Sequence, residues 1–187
     1  MVDLKVSNFA ISWKAEFEVD NTKRSFEKIV LEQKTKPKTA RFYANFAVVR
    51  YDNIKSVYII FYSGHVNCTG VSKPSLILPA IDFFSQTFSV KVSRFRIKAI
   101  AATATLKNPL EVRNILQILK TGQSEIVPSI VSNRFTGLMI RFKKGGSAQI
   151  FYSGKINYLG ACNLTQLKYM NSFVKRLVKS NGVQTPC

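Results

Sequence analysis

Acidic residues are scarce in this chain, and after Glu125 there are none. Of 187 residues only 10 are Asp or Glu, against 28 Lys and Arg, so the formal net charge is +18. Histidine occurs once, at His65, and cysteine three times, at Cys68, Cys162 and Cys187. Residues so few and so scattered make neither a disulfide framework nor a metal knuckle, and they offer no Cys–His pair. With the acids equally dispersed, no catalytic residue, metal site or cofactor is expected. No run of about 18 apolar residues is present, which argues against a membrane span. The opening Met1-Val2-Asp3-Leu4-Lys5 lacks the apolar stretch of a secretory signal. A reducing, intracellular compartment fits this composition.

Positive charge is what the chain has in excess, and it is unevenly divided. Residues 1–90 carry 12 Lys and Arg against 8 Asp and Glu (+4), whereas residues 91–187 carry 16 against 2 (+14). Such a field favours a polyanion through steering and counterion release. Nucleic acid suits it best, ahead of a basic surface kept for solubility, a ribosomal partner or an anionic membrane. Hydrophobic residues make up 46% and charged residues 20%, as in a folded chain with a sizeable core.

The chain also repeats itself. Phe61-Tyr62-Ser63-Gly64-His65-Val66-Asn67 returns 90 residues later as Phe151-Tyr152-Ser153-Gly154-Lys155-Ile156-Asn157. Lys5-Val6-Ser7-Asn8-Phe9-Ala10-Ile11 returns 86 residues later as Lys91-Val92-Ser93-Arg94-Phe95-Arg96-Ile97. Two collinear anchors imply a duplicated unit, residues 1–89 and 90–187, folded as two alike halves about a pseudo-twofold axis.

Each half reads as strand, helix, several strands, helix. Residues 5–19 alternate as a strand, and Asn21 and Thr22 offer an N-cap for a helix over 23–33. Residues 34–39 read as a loop, 42–51, 56–62 and 65–71 as strands, and 74–87 as a helix that Pro79 kinks or shortens. In the second half a strand is expected over 91–100 and a helix from Asn108-Pro109 to Lys120, which Gly122 can end. Strands follow at 135–143, 147–153 and 155–161. A closing helix over 164–179 has Leu164, Leu167, Met170, Val174, Leu177 and Val178 on one face.

Strand parity separates two faces. Phe9, Ile11 and Trp13 point one way and Asn8, Ala10 and Ser12 the other. By the repeat alignment, Phe95, Ile97 and Ala99 take the apolar face, and Arg94, Arg96 and Lys98 the opposite one. Three cations in a row gain nothing from a core; they suit a phosphate-lined surface, the alternative being an ordinary solvated face. Ile59 and Phe61 lie on one face, Tyr58, Ile60 and Tyr62 on the other, and Phe151 lies opposite Ile150 and Tyr152. A large aromatic ring is therefore left on the face away from the helices, where a partner or a covering loop must meet it.

These stretches resemble the TATA-box-binding protein family. The carriers are Ile150-Phe151-Tyr152-Ser153-Gly154-Lys155, its first-half counterpart Ile60-Phe61-Tyr62-Ser63-Gly64-His65, Arg134-Phe135-Thr136-Gly137-Leu138-Met139-Ile140-Arg141 and Val6-Ser7-Asn8-Phe9-Ala10. The resemblance implies an α+β saddle of two tandem repeats, with a curved antiparallel sheet and helices on its convex face. It implies a transcription initiation factor that sits on the minor groove of double-stranded promoter DNA and bends it by inserting phenylalanine. Phe61, Phe135 and Phe151 match the wedges, and the partner of Phe61 is Phe42, Ala44 or Phe46. Arg50, Arg141 and Lys155 match phosphate contacts, and Asn8, Ala10 and Thr69 match groove-facing positions. The departures are Arg94 for the second central asparagine, Arg96 for a small apolar residue, Asn67 and Asn157 for valines, Leu159 for a threonine, Gln149 for a leucine and His65 for a lysine. A face richer in arginine and amide suits narrow, electronegative grooves and tolerates G·C pairs.

General transcription factors or RNA polymerase subunits are the implied protein partners. Residues 126–133 lack the acids through which the family docks its IIB-type factor, so the usual set is not implied in full. Alternatives are a protein-interaction scaffold with the same fold and no DNA bending, or a nucleic-acid-binding accessory module. The implied location is the nucleus, or a viral factory or virion for a chain from a large DNA virus; divergence of this degree also suits a fast-evolving eukaryote.

Overall fold

The computed structural model describes residues 4–52, 54–106, 115, 119, 126–130 and 137–179. The strands are β1 (Lys5–Glu16), β2 (Thr39–Phe42), β3 (Phe46–Arg50), β4 (Val57–Phe61), β5 (His65–Val71), β6 (Lys91–Val92), β7 (Arg96–Thr105), β8 (Ile126–Ile130), β9 (Gly137–Phe142), β10 (Ser147–Phe151) and β11 (Lys155–Ala161). The helices are α1 (Lys23–Glu32), α2 (Ile77–Phe88) and α3 (Leu164–Lys179). The chain divides into two compact units, one of residues 8–98 and one of residues 1–7 with 99–187. Contacts near residues 7 and 92 set the bounds of these units. β6 pairs with the end of β1, Ala15 opposite Val92, and Ser93 N–H bonds Lys14 O at 2.8 Å, which ties residues 91–93 to the first unit. Ser7 Oγ donates to Ala101 O at 3.1 Å, which ties the start of β1 to the second.

In the first unit the antiparallel strand order is β2-β3-β4-β5-β1. One face packs on helices. Ile11, Trp13, Val49, Tyr58, Ile60, Val66 and Cys68 are buried there with Phe26 of α1 and Phe84 of α2. Trp13 meets Phe84 edge-on at 5.4 Å, and Tyr58 donates its hydroxyl to Ala80 O of α2 at 2.8 Å. Burial pushes the Tyr58 phenol above its ordinary range and the Cys68 thiol up to about 12, the latter against a lowering hydrogen bond from Ser56. Thr22 caps α1, its Oγ1 accepting from Ser25 N–H at 3.2 Å, as its position before the amphipathic run predicts. Pro79 neither kinks nor shortens α2. A 3-10 turn, Pro74–Leu76, leads into the helix, and Pro79 falls in its first turn, where an N–H has no intrahelical acceptor.

In the second unit the order is β7-β11-β10-β9-β8. Ile100, Ala102, Ala104, Ile140, Ala148, Ile150, Ile156 and Tyr158 are buried with Leu167, Met170, Phe173 and Val174 of α3. The Tyr158 hydroxyl bonds Asn171 Oδ1 at 3.0 Å, and burial raises its phenol. Leu164, expected on the buried stripe, is 42% exposed at the helix start, and Phe173 and Asn171 take its place. Ile115 and Leu119 are helical and buried; the rest of the helix expected over 109–120 lies outside the described residues.

Three expected elements differ. The strand predicted over 42–51 is β3 preceded by a turn, with Phe42 ending the unpredicted β2, because Tyr43 N–H bonds Phe46 O at 2.8 Å and turns the chain. β8 runs through Pro128, which only an outer strand accommodates. The strand predicted over 91–100 breaks after Val92 and resumes as β7 five residues further on than the repeat alignment implies, with consequences for the candidate site.

Candidate nucleic-acid interface

The repeated Phe-Tyr-Ser-Gly places the two phenylalanines identically. Gly64 and Gly154 take φ of +86° and +80°. Their N–H groups bond Phe61 O and Phe151 O at 2.9 and 3.0 Å, and their carbonyls accept from Ala15 and Leu106 at 2.8 and 2.9 Å. Each phenylalanine thus ends a strand just before a tight turn, half-buried, on the face away from the helices. Tyr62 is buried beneath its turn, against Phe26 at 4.9 Å, and its hydroxyl bonds the carbonyls of Tyr43 and Phe46 at 2.8 and 3.2 Å. Tyr152 is 45% exposed, so the same motif sits in two settings.

Register identifies the neighbours of Phe61. Phe46 stands directly across from it, their rings 5.6 Å apart, and Tyr43 stacks on Phe46 at 4.6 Å. Phe42 pairs with Ala47 and so belongs to the helix-covered face. Ala44 is exposed in the turn between β2 and β3. In the second unit Phe151 pairs with Gly137, so Phe46 corresponds to Gly137 and Ala44 to Phe135. Phe135 itself lies outside the described residues.

The open face of the first unit continues across its strands. Arg41, Val48, Ile59 and Asn67 form one row, which ends at the buried Ser12; Thr39, Arg50, Val57 and Thr69 form the next. Ala10, Ile59, Phe61, His65, Asn67, Thr69 and Lys98 line a concavity of about 560 Å³. Asn8 is fastened rather than free: its Nδ2 donates to Thr69 Oγ1 at 2.8 Å and its Oδ1 accepts from Gly70 N–H at 2.7 Å. These bonds span a bulge in β5, where Phe9 pairs with Val71 but Ile11 with Cys68. Asn8→Ala leaves the Gly70 N–H without this acceptor and is expected to cost about 1–2 kcal/mol, measurable as a lowered denaturant midpoint at constant m.

The second unit has the equivalent bulge, with Ala161 opposite Ile100 and Tyr158 opposite Ala102. Thr103 opposite Asn157 therefore corresponds to Ser12 opposite Asn67. Stepping back along both strands, Ala99 corresponds to Asn8 and Ala101 to Ala10. This corrects the expectation for Arg94 and Arg96. Arg94 precedes β7, outside any strand, and Arg96 and Lys98 share the parity of the buried Ile100, Ala102 and Ala104. Phe95 and Ile97, expected on the covered face, are half-buried, and Ile97 has the parity of the open one. The second open face carries Met139, Gln149, Asn157 and Thr103 in one row, with Arg141, Ser147 and Leu159 in the next. Ala99, Ala101 and Thr103 escape the repeat alignment. The alternation of Ile100, Ala102, Ala104 and Leu106 is the sequence signal that could have found them.

Charge surrounds these faces with few acids to answer it. Arg50, Arg141, Lys155 and His65 are exposed. Among the described residues the ion pairs are Lys23–Glu27 at 3.7 Å and Lys38–Asp52 at 2.7 Å. Also among the described residues, no group of three or more His, Cys, Asp or Glu could hold a metal ion, and no helix is long and apolar enough to cross a membrane.

No family model matches the sequence, and no curated protein matches it. Among solved structures the chain is similar to Methanococcus jannaschii TBP, with a TM-score of 0.75 at 22% identity over 95% of this chain and 99% of that one. The likeness extends over the whole arrangement of antiparallel strands and helices, and it shows that the chain has the mixed α+β fold of that protein.

Proposed function

We propose that the protein is a transcription initiation factor that binds the minor groove of promoter DNA and bends it by inserting phenylalanine. The single observation that carries this reading is the pair of open faces, each with a phenylalanine held at a strand end beside its Phe-Tyr-Ser-Gly turn. A half-buried ring on a face of mixed apolar, amide and cationic side chains is suited to entering a base step, where unstacking is repaid by contact with a bent duplex. Phe61 with Phe46, and Phe151 with Phe135, are the wedge groups in this reading. Asn8, Ala10, Asn67, Thr69, Ala99, Ala101, Asn157 and Leu159 face the groove floor, and Arg50, Arg141 and Lys155 neutralise phosphates. Arg96, of the parity opposite to the open face, and Arg94, exposed in the lead into β7, contribute to the general field. The role is one of binding rather than catalysis. Its partners are double-stranded DNA and the initiation machinery assembled on it, and its place is the compartment where that DNA is transcribed.

The test is salt dependence. The logarithm of the DNA association constant should fall linearly with that of salt concentration, and Arg50→Ala, Arg141→Ala and Lys155→Ala should each lower the slope by about 0.9. Arg94→Ala should lower it less. Slopes unchanged by the first three variants contradict the phosphate assignments. An absence of duplex binding at low salt contradicts the reading and favours a scaffold.

A further inference from the structure

One amide occupies the same register position on the open face of each unit. Asn67 lies between Ile59 and Ser12 across the strands, and Asn157 between Gln149 and Thr103. Both are half-buried, and among the described residues neither side chain has a hydrogen-bond partner. Asn8 differs, because its amide is committed to Thr69 and Gly70. Water satisfies each amide while the face is open, and a partner that covers the amide without replacing that hydrogen bond leaves it unmade. A valine, smaller, apolar and suited to a strand, would carry no such requirement on a covered face; an amide at both positions points to a partner that bonds it.

The minor groove supplies such a partner selectively. A·T and T·A pairs present only the acceptors N3 and O2 there, whereas G·C adds the guanine N2 amino donor. An apolar side chain covering that amino group desolvates it without replacing its hydrogen bond. An amide oxygen accepts from it, and the amide NH2 still donates to N3 or O2 of either pair. We infer that Asn67 and Asn157 are specificity-determining residues that accept a guanine amino group, so that G·C-containing minor grooves bind as readily as A·T ones. Gln149 beside Asn157 places a second amide in that row, where the first unit has Ile59. The inference rests on the minor-groove reading above.

Four duplexes of one length test it, differing at the central pairs: A·T, inosine·C, G·C and 2,6-diaminopurine·T. Inosine·C lacks the minor-groove amino group and diaminopurine·T carries it, so the pairs separate that group from base identity. Wild-type protein should bind all four within about threefold, and Asn67→Val/Asn157→Val should lose about tenfold on G·C and diaminopurine·T alone. Retained affinity of the variant for the A·T and inosine duplexes also reports that it is folded. Identical profiles for wild type and variant, or a variant weakened equally on all four, overturn the inference and leave groove binding intact. Wild-type protein that binds none of the four duplexes overturns both.

Discussion

Phe61→Ala/Phe151→Ala is expected to bind an A·T-rich duplex about 100-fold more weakly than the wild type and to leave it straight. The two rings are the large apolar groups that the sequence motif fixes on the open faces, at strand ends where the backbone is held by the Gly64 and Gly154 turns. Truncating a buried aromatic anchor at an interface costs at least about 2 kcal/mol, or roughly 30-fold, and the two effects do not add fully. The folded state loses little, since both side chains are only half-buried. Affinity by fluorescence anisotropy, bending by circular-permutation mobility and thermal unfolding together separate the outcomes. A variant that bends DNA as the wild type does removes the wedge role. Phe46→Ala should produce a smaller loss confined to the first unit's kink, because Phe46 stands across from Phe61 where the second unit has Gly137. Loss of bending by Phe46→Ala alone would mean that the Tyr43–Phe46–Phe61 stack, rather than Phe61, is the wedge.

The second large effect is on stability and separates two glycines with the same job. Gly70 and Gly160 both sit in the bulges opposite Ala10 and Ala101, with φ of +92° and +76°. Any side chain there meets left-handed strain of about 1–2 kcal/mol. A Cβ on Gly160 would find Gly146 Cα at 3.5 Å, an ordinary contact. On Gly70 it would stand 2.5 Å from the Lys55 carbonyl oxygen and 3.3 Å from Ser56 Cα, both backbone atoms. Gly70→Ala must therefore displace the lead into β4 and disturb the Gly70 N–H bond to Asn8. It is expected to cost at least about 3–4 kcal/mol against about 1–2 for Gly160→Ala, or roughly 10 °C of melting temperature against about 5 °C. Differential scanning calorimetry decides it. Equal shifts would mean that the close approach at Gly70 relaxes without cost.

What the sequence revealed follows from how local the information is. The Phe-Tyr-Ser-Gly hairpins were legible because a glycine with positive φ next to alternating strands specifies turn, face and register within a dozen residues. The helix starting at Lys23 was legible through its Thr22 cap for the same reason. β7 was not. Lys91-Val92-Ser93 imitates Lys5-Val6-Ser7, yet it forms β6 against Ala15 and Glu16, and β7 takes its register from β11, some 55 residues later in the chain. That long-range pairing gives Arg96 and Lys98 the parity of the buried residues and puts Ala99, Ala101 and Thr103 on the open face, while Lys98 still lines the concavity beside Ala10 and Asn67. A charge pattern read along one strand could not distinguish the two parities, because exposure at the beginning of β7 leaves its cations solvated on either side. β2 and β8 escaped notice as short outer strands, one following Pro37 and one containing Pro128, where propensity is weak and pairing decides. The partner of Phe61 was ambiguous among Phe42, Ala44 and Phe46 until the β3–β4 register placed Phe46 across from it.

Bending of DNA by these faces is tested most directly by energy transfer between dyes on the two ends of a short A·T-rich duplex. Saturating wild-type protein should raise the transfer efficiency, bringing the ends together, with a midpoint equal to that of binding measured by anisotropy. Saturable binding with no change in end-to-end distance would contradict the account.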